Sequence, residues 1–200
     1  MNKALISSLR MNLILMVLIG LIFPLVMTGI SSVLFADQAQ GSLLKDREGK
    51  IIGSSLIGQS FSAPEYFHPR PSAAGGGYAG EASSGTNLGP TSAKLIEGIE
   101  GFDGVKQLAK KYASENNLSP EVKVPVDAVT RSASGLDPDI SQANALLQAP
   151  RVAAKRGLPV KTVEDLVLSH TQPRQLGFLG EPRVNVLRLN IALNDLRVLK

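Results

Sequence analysis

Residues 11–36 read MNLILMVLIGLIFPLVMTGISSVLFA, a run of 26 residues without a charged side chain. A membrane hydrocarbon core about 30 Å thick needs about 20 apolar residues in helical form. At about 1.5 Å per residue this run extends roughly 39 Å, which is enough to cross a membrane with some tilt. We therefore predict a transmembrane anchor helix over residues 11–36.

The charges on either side of the run predict its orientation. Lys3 and Arg10 precede it, and Asp37 is the first charge after it. Positive charge is retained on the cytoplasmic side of a membrane. We predict a cytoplasmic tail at residues 1–10, a single-pass anchor in the inner (plasma) membrane, and one extracytoplasmic domain at residues 37–200.

A cleaved signal peptide is the alternative interpretation of this run. Its apolar region would span about 7–15 residues and end in a small-x-small cleavage site. The observed run is longer, and a cut after Ala36 would place Leu34 where a small residue is required. These two departures favour an uncleaved anchor.

One face of the anchor carries small or helix-distorting residues. Gly20, Pro24 and Thr28 are spaced at i, i+4 and i+8. Membrane helices associate through close packing at small residues, so we predict that this face docks against a partner helix and that Pro24 kinks the anchor. A lone anchor with incidental small residues is the alternative, because Gly and Pro are common in membrane helices.

The composition of residues 37–200 excludes several classes of function. Lys3 and Arg10 lie outside this region, which leaves 19 of the 21 basic residues against all 17 acidic ones, a net charge of +2. That balance does not suggest a nucleic-acid partner. The chain has no cysteine, so disulfides and thiolate chemistry are excluded. Its two histidines, His68 and His170, are far apart in sequence, and we predict no metal site.

The first half of this region mixes predicted strands, helices and an irregular stretch. The polar Lys45–Gly49 segment between two short apolar runs predicts a β-hairpin. Phe61–Pro90 contains four prolines and a triple glycine and is predicted to be irregular, hence functional or disordered. One amphipathic helix is predicted from Thr91 onward, from apolar residues at three- and four-residue steps: Leu95, Ile99, Phe102, Val105, Ala109 and Tyr112.

The second half continues the alternation of elements. Pro125–Thr130 is predicted to be a short strand. A helix is expected to start at Asp137 as N-cap, to break at Pro150 and to end at Gly157. Thr162–Asp165 resembles a capping box that opens another helix, and Arg183–Asn190 alternates like a strand with a helical tail. We therefore predict an α+β fold with a small mixed sheet.

Patterns that would indicate catalysis are absent or incomplete. Gly75–Gly80 (GGGYAG) matches G-x-G-x-x-G but lacks the flanking strand and helix of a dinucleotide site. No G-x-S-x-G nucleophile elbow occurs. We predict no catalytic residues. A membrane-anchored extracytoplasmic hydrolase of the Ser/Lys type is retained as the alternative function.

Several long motifs resemble the C subunit of the bacterial Kdp potassium-transporting P-type ATPase, in order and over essentially the whole chain. They are GSSLIGQ (53–59), Phe61, Pro64 with Tyr66-Phe-His68, RPSA (70–73), NLGPT (87–91), PVD (125–127), SASGLDP (132–138), RVA (151–153) and LGFLGEPRVNVLRLN (176–190). The single N-terminal anchor also matches this family.

The resemblance implies a non-catalytic accessory subunit of a high-affinity potassium uptake pump. It implies three partners besides membrane lipid: a channel-like potassium-binding subunit, a P-type ATP-hydrolysing subunit and a small single-span subunit. The family's C subunit is described as needed for assembly and as a catalytic chaperone that raises ATP affinity. ATP and K⁺ would belong to the other subunits, and we expect no directly bound cofactor.

The predicted topology argues against direct contact with cytoplasmic ATP, because about ten residues lie on that side. We expect the outer domain to lie over the mouth of the potassium-binding subunit and to act on ATP binding through coupling between sites. The candidate contact residues lie in the stiff Tyr66–Ala73 segment, in Asn87–Pro90 and in Gly180–Arg183. They are Tyr66, Phe67, His68, Arg70, Asn87, Pro90, Gly180, Glu181 and Arg183.

Overall fold

A long apolar helix comes first in the chain, and a domain of short strands and helices follows it. The structure, a computed structural model, describes residues 2–46 and 48–198. The chain divides into two units, Met1–Leu43 and Leu44–Lys200.

The first unit consists of α1 (Asn2–Val17), a π-helical turn (Leu18–Ile22), α2 (Phe23–Leu34) and the short α3 (Ala36–Ala39). Within the described residues, Lys3–Leu34 is the one helix long and apolar enough to cross a membrane. Pro24 lies in the first turn of α2, where its ring crowds the carbonyl of Gly20 and provides no N–H to it. A wide π-helical turn can accommodate such crowding, and the kink predicted at Pro24 remains a prediction.

The second unit opens with the predicted hairpin. Strands β1 (Leu43–Lys45) and β2 (Ile51–Ser54) pair with each other. The carboxylate of Asp46 shapes the turn by accepting hydrogen bonds from the backbone N–H groups of Glu48 and Lys50, each at 2.9 Å. No helix or strand occurs from residue 55 to residue 92, which agrees with the irregular stretch predicted there.

The single amphipathic helix predicted after Thr91 is wrong, because the chain forms two helices. These are α4 (Ala93–Glu97) and α5 (Val105–Glu115). Gly98 and Gly101 between them have φ of 84° and 76°, a left-handed conformation that glycine adopts readily and that a helix cannot contain.

The strand predicted at Pro125–Thr130 is also wrong, since α6 (Val126–Val129) occupies this stretch. The Pro125 carbonyl accepts a hydrogen bond from the Ala128 N–H at 3.1 Å, which closes a helical turn. Ala128 and Val129 are buried with Tyr112 of α5 in a small apolar cluster. Tertiary burial therefore outweighs the strand preference of the valines.

The helix predicted to begin at Asp137 begins later. Asp137 accepts a hydrogen bond from the Asp139 N–H at 3.0 Å, and the chain first forms strand β3 (Asp139–Ser141). Helix α7 (Gln142–Arg156) then starts with Ser141 as its N-cap. The predicted N-cap is wrong because the serine hydroxyl, not the Asp137 carboxylate, accepts from a first-turn N–H.

Pro150 does not break α7, contrary to prediction. It lies on the exposed side of the helix, while Ala149, Arg151 and Val152 beside it are buried. Packing on the buried side keeps the helix continuous although Pro150 cannot donate to the preceding turn. Gly157 ends the helix in the left-handed conformation, with φ 64°, as predicted.

Helix α8 (Val160–Ser169) contains the predicted Thr162–Asp165 segment but starts before it, at Pro159 as N-cap. Strands β4 (Thr171–Gln172) and β5 (Arg183–Asn185) follow, and α9 (Val186–Val198) ends the described chain. The strand predicted over Arg183–Asn190 is therefore correct only for its first three residues. Asn185 stops it by capping α9, since its side-chain oxygen accepts from the Arg188 N–H at 3.0 Å.

The main sheet has the order β3-β5-β4. Both pairings are antiparallel, with Val184 opposite Ile140 on one side and Thr171 on the other. The α+β class is confirmed, and the sheet is antiparallel rather than mixed. Neither pairing uses the helical crossover that joins neighbouring parallel strands.

The main core combines this sheet with helices α7, α8 and α9. Its fully or almost fully buried members are Phe67, Ile140, Ala145, Ala149, Val152, Ala153, Val163, Val167, Val184, Val186, Leu189 and Leu193. Phe67 is the one member of this set from the irregular stretch. Its burial joins residues 55–92 to the core.

Two buried side-chain amides, which we call the amide clamps, hold this part of the irregular stretch by hydrogen bonds to its backbone. The Asn190 side chain accepts from the Phe67 N–H at 2.9 Å and donates to the Phe67 carbonyl at 3.0 Å. Gln148 does the same for His68, at 2.7 and 3.0 Å. Each amide thus replaces the neighbouring strand that would otherwise satisfy these buried backbone groups.

Replacing Asn190 with leucine should destabilise the protein strongly. Asn190→Leu keeps the volume but leaves the N–H and carbonyl of Phe67 without partners, at about 1–3 kcal/mol for each buried group. We expect a loss of about 3 kcal/mol in urea unfolding of the detergent-solubilised chain, followed by circular dichroism. Asn194→Leu, one turn later and exposed, is the matched control; equal losses in the two variants would contradict this role of Asn190.

Candidate partner-contact site

The segment Tyr66–Pro71 is held in place by side chains from α7 and α9. Besides the two amide clamps, Arg151 of α7 donates to the carbonyls of Pro64 and Tyr66, at 2.5 and 2.9 Å. Its remaining donors bind the side-chain oxygens of Asn116 and Gln148, at 2.9 and 2.7 Å. Charge-assisted hydrogen bonds from one buried guanidinium to several acceptors are strong and geometrically specific. They hold the backbone of the segment in one conformation.

The predicted contact residues Tyr66, Phe67 and His68 differ in how far their side chains are exposed. Phe67 has no exposed surface and is a core residue, so a partner cannot reach its side chain. Tyr66 is half-buried, with Phe61 at 5.6 Å between ring centroids and the Arg156 guanidinium 4.8 Å from its own ring centroid. His68 is half-buried, and its Nε2 lies 3.1 Å from the Ala63 carbonyl.

Three other predicted contact residues, Arg70, Glu181 and Arg183, line one open pocket of about 450 Å³. Arg70 is distant in sequence from Glu181 and Arg183, which are two positions apart. Arg70 pairs with Asp137 at 2.7 Å, and Arg183 of β5 pairs with Asp139 of β3 at 2.9 Å. The order of the sheet therefore brings these residues together.

Several carboxylates line the pocket beside apolar residues, and its ionisable lining residues are Arg70, Asp127, Asp137, Asp139, Glu181 and Arg183. Burial raises the pKa of Asp139, and the positive charge of Arg183 opposes that rise. Asp127 accepts from the Ser141 N–H and hydroxyl and from Asn144. These fixed pairs form a shaped polar surface, and within the described residues no group of His, Cys, Asp or Glu is arranged to hold a metal.

Asn87, Pro90 and Gly180 are exposed on loops. Asn87 lines a neighbouring pocket of about 350 Å³, which shares Thr130 with the first one. Its φ of 52° is left-handed, a conformation that asparagine tolerates better than most residues. The predicted contact role of these residues remains a prediction.

Sequence reasoning included Gly180 and Glu181 of the loop between β4 and β5 but missed residues 176–179 of the same loop as a surface feature. Leu176, Phe178 and Leu179 are exposed there, although the motif containing them served only to indicate the family resemblance. The sequence feature that could have indicated this surface is the placement of three large apolar residues beside Gly177 and Gly180. Glycines of this kind favour a turn, which keeps neighbouring side chains out of the core.

In the first unit, the predicted docking residues occupy different parts of the helix. Gly20 lies in the π-turn, and Pro24 and Thr28 lie in α2. The Thr28 carbonyl accepts from the Ser32 hydroxyl at 2.7 Å, which satisfies a polar side chain within the apolar helix. Their docking role also remains a prediction.

His68 should make stability fall on acidification. Burial, and next the positive charge of Arg151, lower the pKa of His68 below its ordinary value of about 6.5. Glu115, 3.6 Å away, opposes this shift. The unfolded chain therefore binds a proton more readily, and the folded protein loses stability as the pH falls below about 6.5.

The size of this effect is limited to about 1.4 kcal/mol per pH unit for one proton. His68→Gln should flatten the dependence of unfolding free energy on pH between about 6.5 and 5. The measurement is urea unfolding of both detergent-solubilised proteins across that range. Parallel curves for the wild-type chain and the variant would contradict the assignment.

Comparison of the sequence with known proteins identifies the family of this chain. The family model described as "K+-transporting ATPase, c chain" matches residues 5–195. The potassium-transporting ATPase KdpC subunit of Mycobacterium bovis is 53% identical over 98% of this chain and 100% of its own length. That of Caulobacter vibrioides is 52% identical over 94% and 93%, and that of Koribacter versatilis 50% over 97% and 95%.

These matches span the apolar helix as well as the α+β domain. They confirm the resemblance carried by the sequence motifs, and with the apolar helix they support a membrane location. The chain belongs to the family of K⁺-transporting ATPase c chains, the KdpC family.

Proposed function

We propose that the chain is the accessory C subunit of a high-affinity, ATP-driven potassium uptake pump. The observation that carries this proposal is the family match over nearly the full chain, from the apolar helix to α9. The proposed partners are a channel-like potassium-binding subunit, a P-type ATP-hydrolysing subunit and a small single-span subunit. The chain itself contributes assembly and coupling rather than catalysis.

The proposed topology places the N-terminus in the cytoplasm and the α+β domain outside the inner membrane. Lys3 and Arg10 before the apolar run support this orientation. ATP is then on the opposite side of the membrane from the domain. An increase in ATP affinity would arise as a coupling free energy between two sites of the assembled pump.

The proposed contact surface combines the ion-pair pocket with the segment beginning at Tyr66. Arg70 belongs to both, since it follows His68 in the chain and lines the pocket. Its pairing with Asp137 fixes the surface before a partner binds, which lowers the entropy cost of association. In the first unit, Gly20, Pro24 and Thr28 are proposed to dock on a partner helix.

A membrane-anchored Ser/Lys hydrolase is the weaker candidate. Such an enzyme needs a serine hydroxyl within hydrogen-bond reach of its base. Among the serine hydroxyls, that of Ser83 bonds a backbone carbonyl, that of Ser141 bonds Asp127 and that of Ser169 bonds His170. Ser141, the serine bonded to Asp127, is also the N-cap of α7, which gives it a structural role.

Deleting the α+β domain should abolish high-affinity potassium uptake. A chain ending at Leu43 keeps the apolar helix and loses the second unit. We expect no growth at micromolar potassium in cells that depend on this pump, while an immunoblot of membranes still detects the shortened chain. Wild-type growth with the shortened chain would contradict the accessory-subunit proposal.

The absence of cysteine permits a clean test of topology. Ser114→Cys, at an exposed position of α5, should react with a membrane-impermeant maleimide added to cells whose outer surface is accessible. Ser8→Cys should react only after the membrane is permeabilised. The reverse labelling pattern would overturn the proposed orientation.

A further inference from the structure

The ring of His68 lies between two hydrogen-bond acceptors. Its Nε2 is 3.1 Å from the carbonyl oxygen of Ala63, and its Nδ1 is 3.6 Å from a carboxylate oxygen of Glu115, the last residue of α5. A carbonyl oxygen can only accept, so the proton of the neutral ring is on Nε2. The lone pair of Nδ1 therefore faces the carboxylate, at a separation too long for a hydrogen bond.

One added proton would make the contact between His68 and Glu115 favourable. Both ring nitrogens of an imidazolium donate, so Nδ1–H would gain the carboxylate as its acceptor while Nε2–H keeps the Ala63 carbonyl. Charge-assisted hydrogen bonds measure about 2.7–2.9 Å, which is about 0.8 Å shorter than the observed separation. The Glu115 side chain is 37% exposed, so packing does not prevent this small movement.

Opposing influences act on the charge of His68. Burial of the ring, and next the positive charge of Arg151 of α7, lower its pKa, whereas the Ala63 carbonyl and Glu115 act in the opposite direction. Burial and Arg151 prevail, which keeps the ring neutral at about pH 7.5 and moves its charge change into the acidic range below about 6.5.

The other ionisable groups near the ring keep their charge state as the medium becomes mildly acidic. Burial raises the pKa of Tyr78 and of Tyr112, so both stay neutral, and lysine and arginine stay protonated. Histidine is the side chain that ordinarily titrates between about pH 5 and 8, so the variable charge is that of His68. The pocket of about 290 Å³ beside the ring has these ionisable lining residues: His68, Arg70, Tyr78, Lys111, Tyr112 and Glu115.

We propose that His68 and Glu115 form a proton-operated latch, in which acidification joins the segment Tyr66–Pro71 to the last turn of α5. In the neutral state the amide clamps and Arg151 bind this segment to α7 and α9. The protonated state adds an ion pair beside the 290 Å³ pocket. The latch is a property of the chain itself, whereas its effect on partner binding rests on the proposed function, because the segment belongs to the proposed contact surface.

The added charge opposes a partner that binds the segment in its neutral state. It arises near Arg151, whose guanidinium donates to the carbonyls of Pro64 and Tyr66. Glu115 interacts electrostatically with Arg151 and with the ring of His68, so the two cations then share one carboxylate. Proton binding and partner binding weaken each other by the same factor. In the proposed topology, the contact surface would respond to acidity outside the membrane.

Nuclear magnetic resonance of the histidine rings is the first test, because the chain contains only His68 and His170. The full chain, with isotope-labelled histidine, is titrated in detergent from about pH 7.5 to 5, and His170→Gln assigns the signals. We expect the Nε2–H form of neutral His68. Glu115→Gln should lower the pKa of His68 below that of the wild-type chain, because the opposite charge is lost, and should leave the pKa of His170 unchanged.

Two results of this titration would overturn the latch. The Nδ1–H form of neutral His68 would leave no position for the added proton beside Glu115. An equal pKa of His68 in the wild-type chain and in Glu115→Gln would mean that the carboxylate does not interact with that proton.

Hydrogen exchange in the last turn of α5 provides an independent readout of the latch. Wild type and Glu115→Gln are compared at the same pH, so that the intrinsic exchange rate cancels. At about pH 5 we expect exchange to be about threefold slower in the wild-type chain, as a partly exposed ion pair would produce, and at about pH 7.5 equal. The same difference at both pH values would indicate a merely structural role of Glu115 and contradict the latch.

The effect on partner binding is tested with the assembled complex. Tagged wild-type, His68→Gln and His170→Gln chains are expressed with the other pump subunits, extracted in mild detergent and washed at about pH 7.5 or 5.5. Mass spectrometry then quantifies the other subunits. We expect recovery to fall about fivefold at the lower pH for the wild-type chain and His170→Gln, and to stay constant for His68→Gln.

The remaining outcomes separate the latch from the proposed function. The same acid-induced loss with His68→Gln would refute the effect on partner binding and leave both the latch and the accessory-subunit proposal standing. Recovery of no other subunit at either pH would refute the proposed function, while the ring titration would still decide the latch.

Discussion

Hydrogen bonds from buried side chains to the backbone of an irregular segment are the constraint on which this domain depends. Gln148, Arg151 and Asn190 satisfy the backbone groups from Pro64 to His68. Buried backbone groups must be paired, and this segment has no neighbouring strand to pair with. Removing one amide would leave a backbone N–H and a backbone carbonyl without partners. Each amide residue therefore contributes more to the stability of the fold than the energy of its own hydrogen bonds.

The same clamps position the proposed contact surface. Phe67 packs in the core between the clamps, and Arg70 follows three residues later at the edge of the pocket. From the other side, the pairing of β3 with β5 places Asp139 beside Arg183. A surface built from two rigid elements in this way needs little rearrangement on binding, which suits a subunit with a permanent position in a complex.

Local signals predicted some elements correctly and failed at others for identifiable reasons. The apolar run, the hairpin around Asp46 and the helix end at Gly157 depend on neighbouring residues, and the structure agrees with all three. Two of the failures, at Pro125–Thr130 and at Pro150, arise where burial against distant helices outweighs local preference. The candidate contact residues come from segments that the sequence indicates to be stiff or that belong to the family motifs. One of them, Phe67, is completely buried in the core.

The sequence by itself determined the long apolar helix, the α+β class and the family, because these follow from composition, local spacing and motifs of adjacent residues. Only the tertiary structure decided which residues share a surface. Arg70 and Arg183 are 113 positions apart, and a clamp from α7 and a strand pairing bring them to one pocket. The exposure of Leu176 and Phe178 is likewise a property of the packed domain, since an apolar residue is buried or exposed according to what the rest of the chain places beside it.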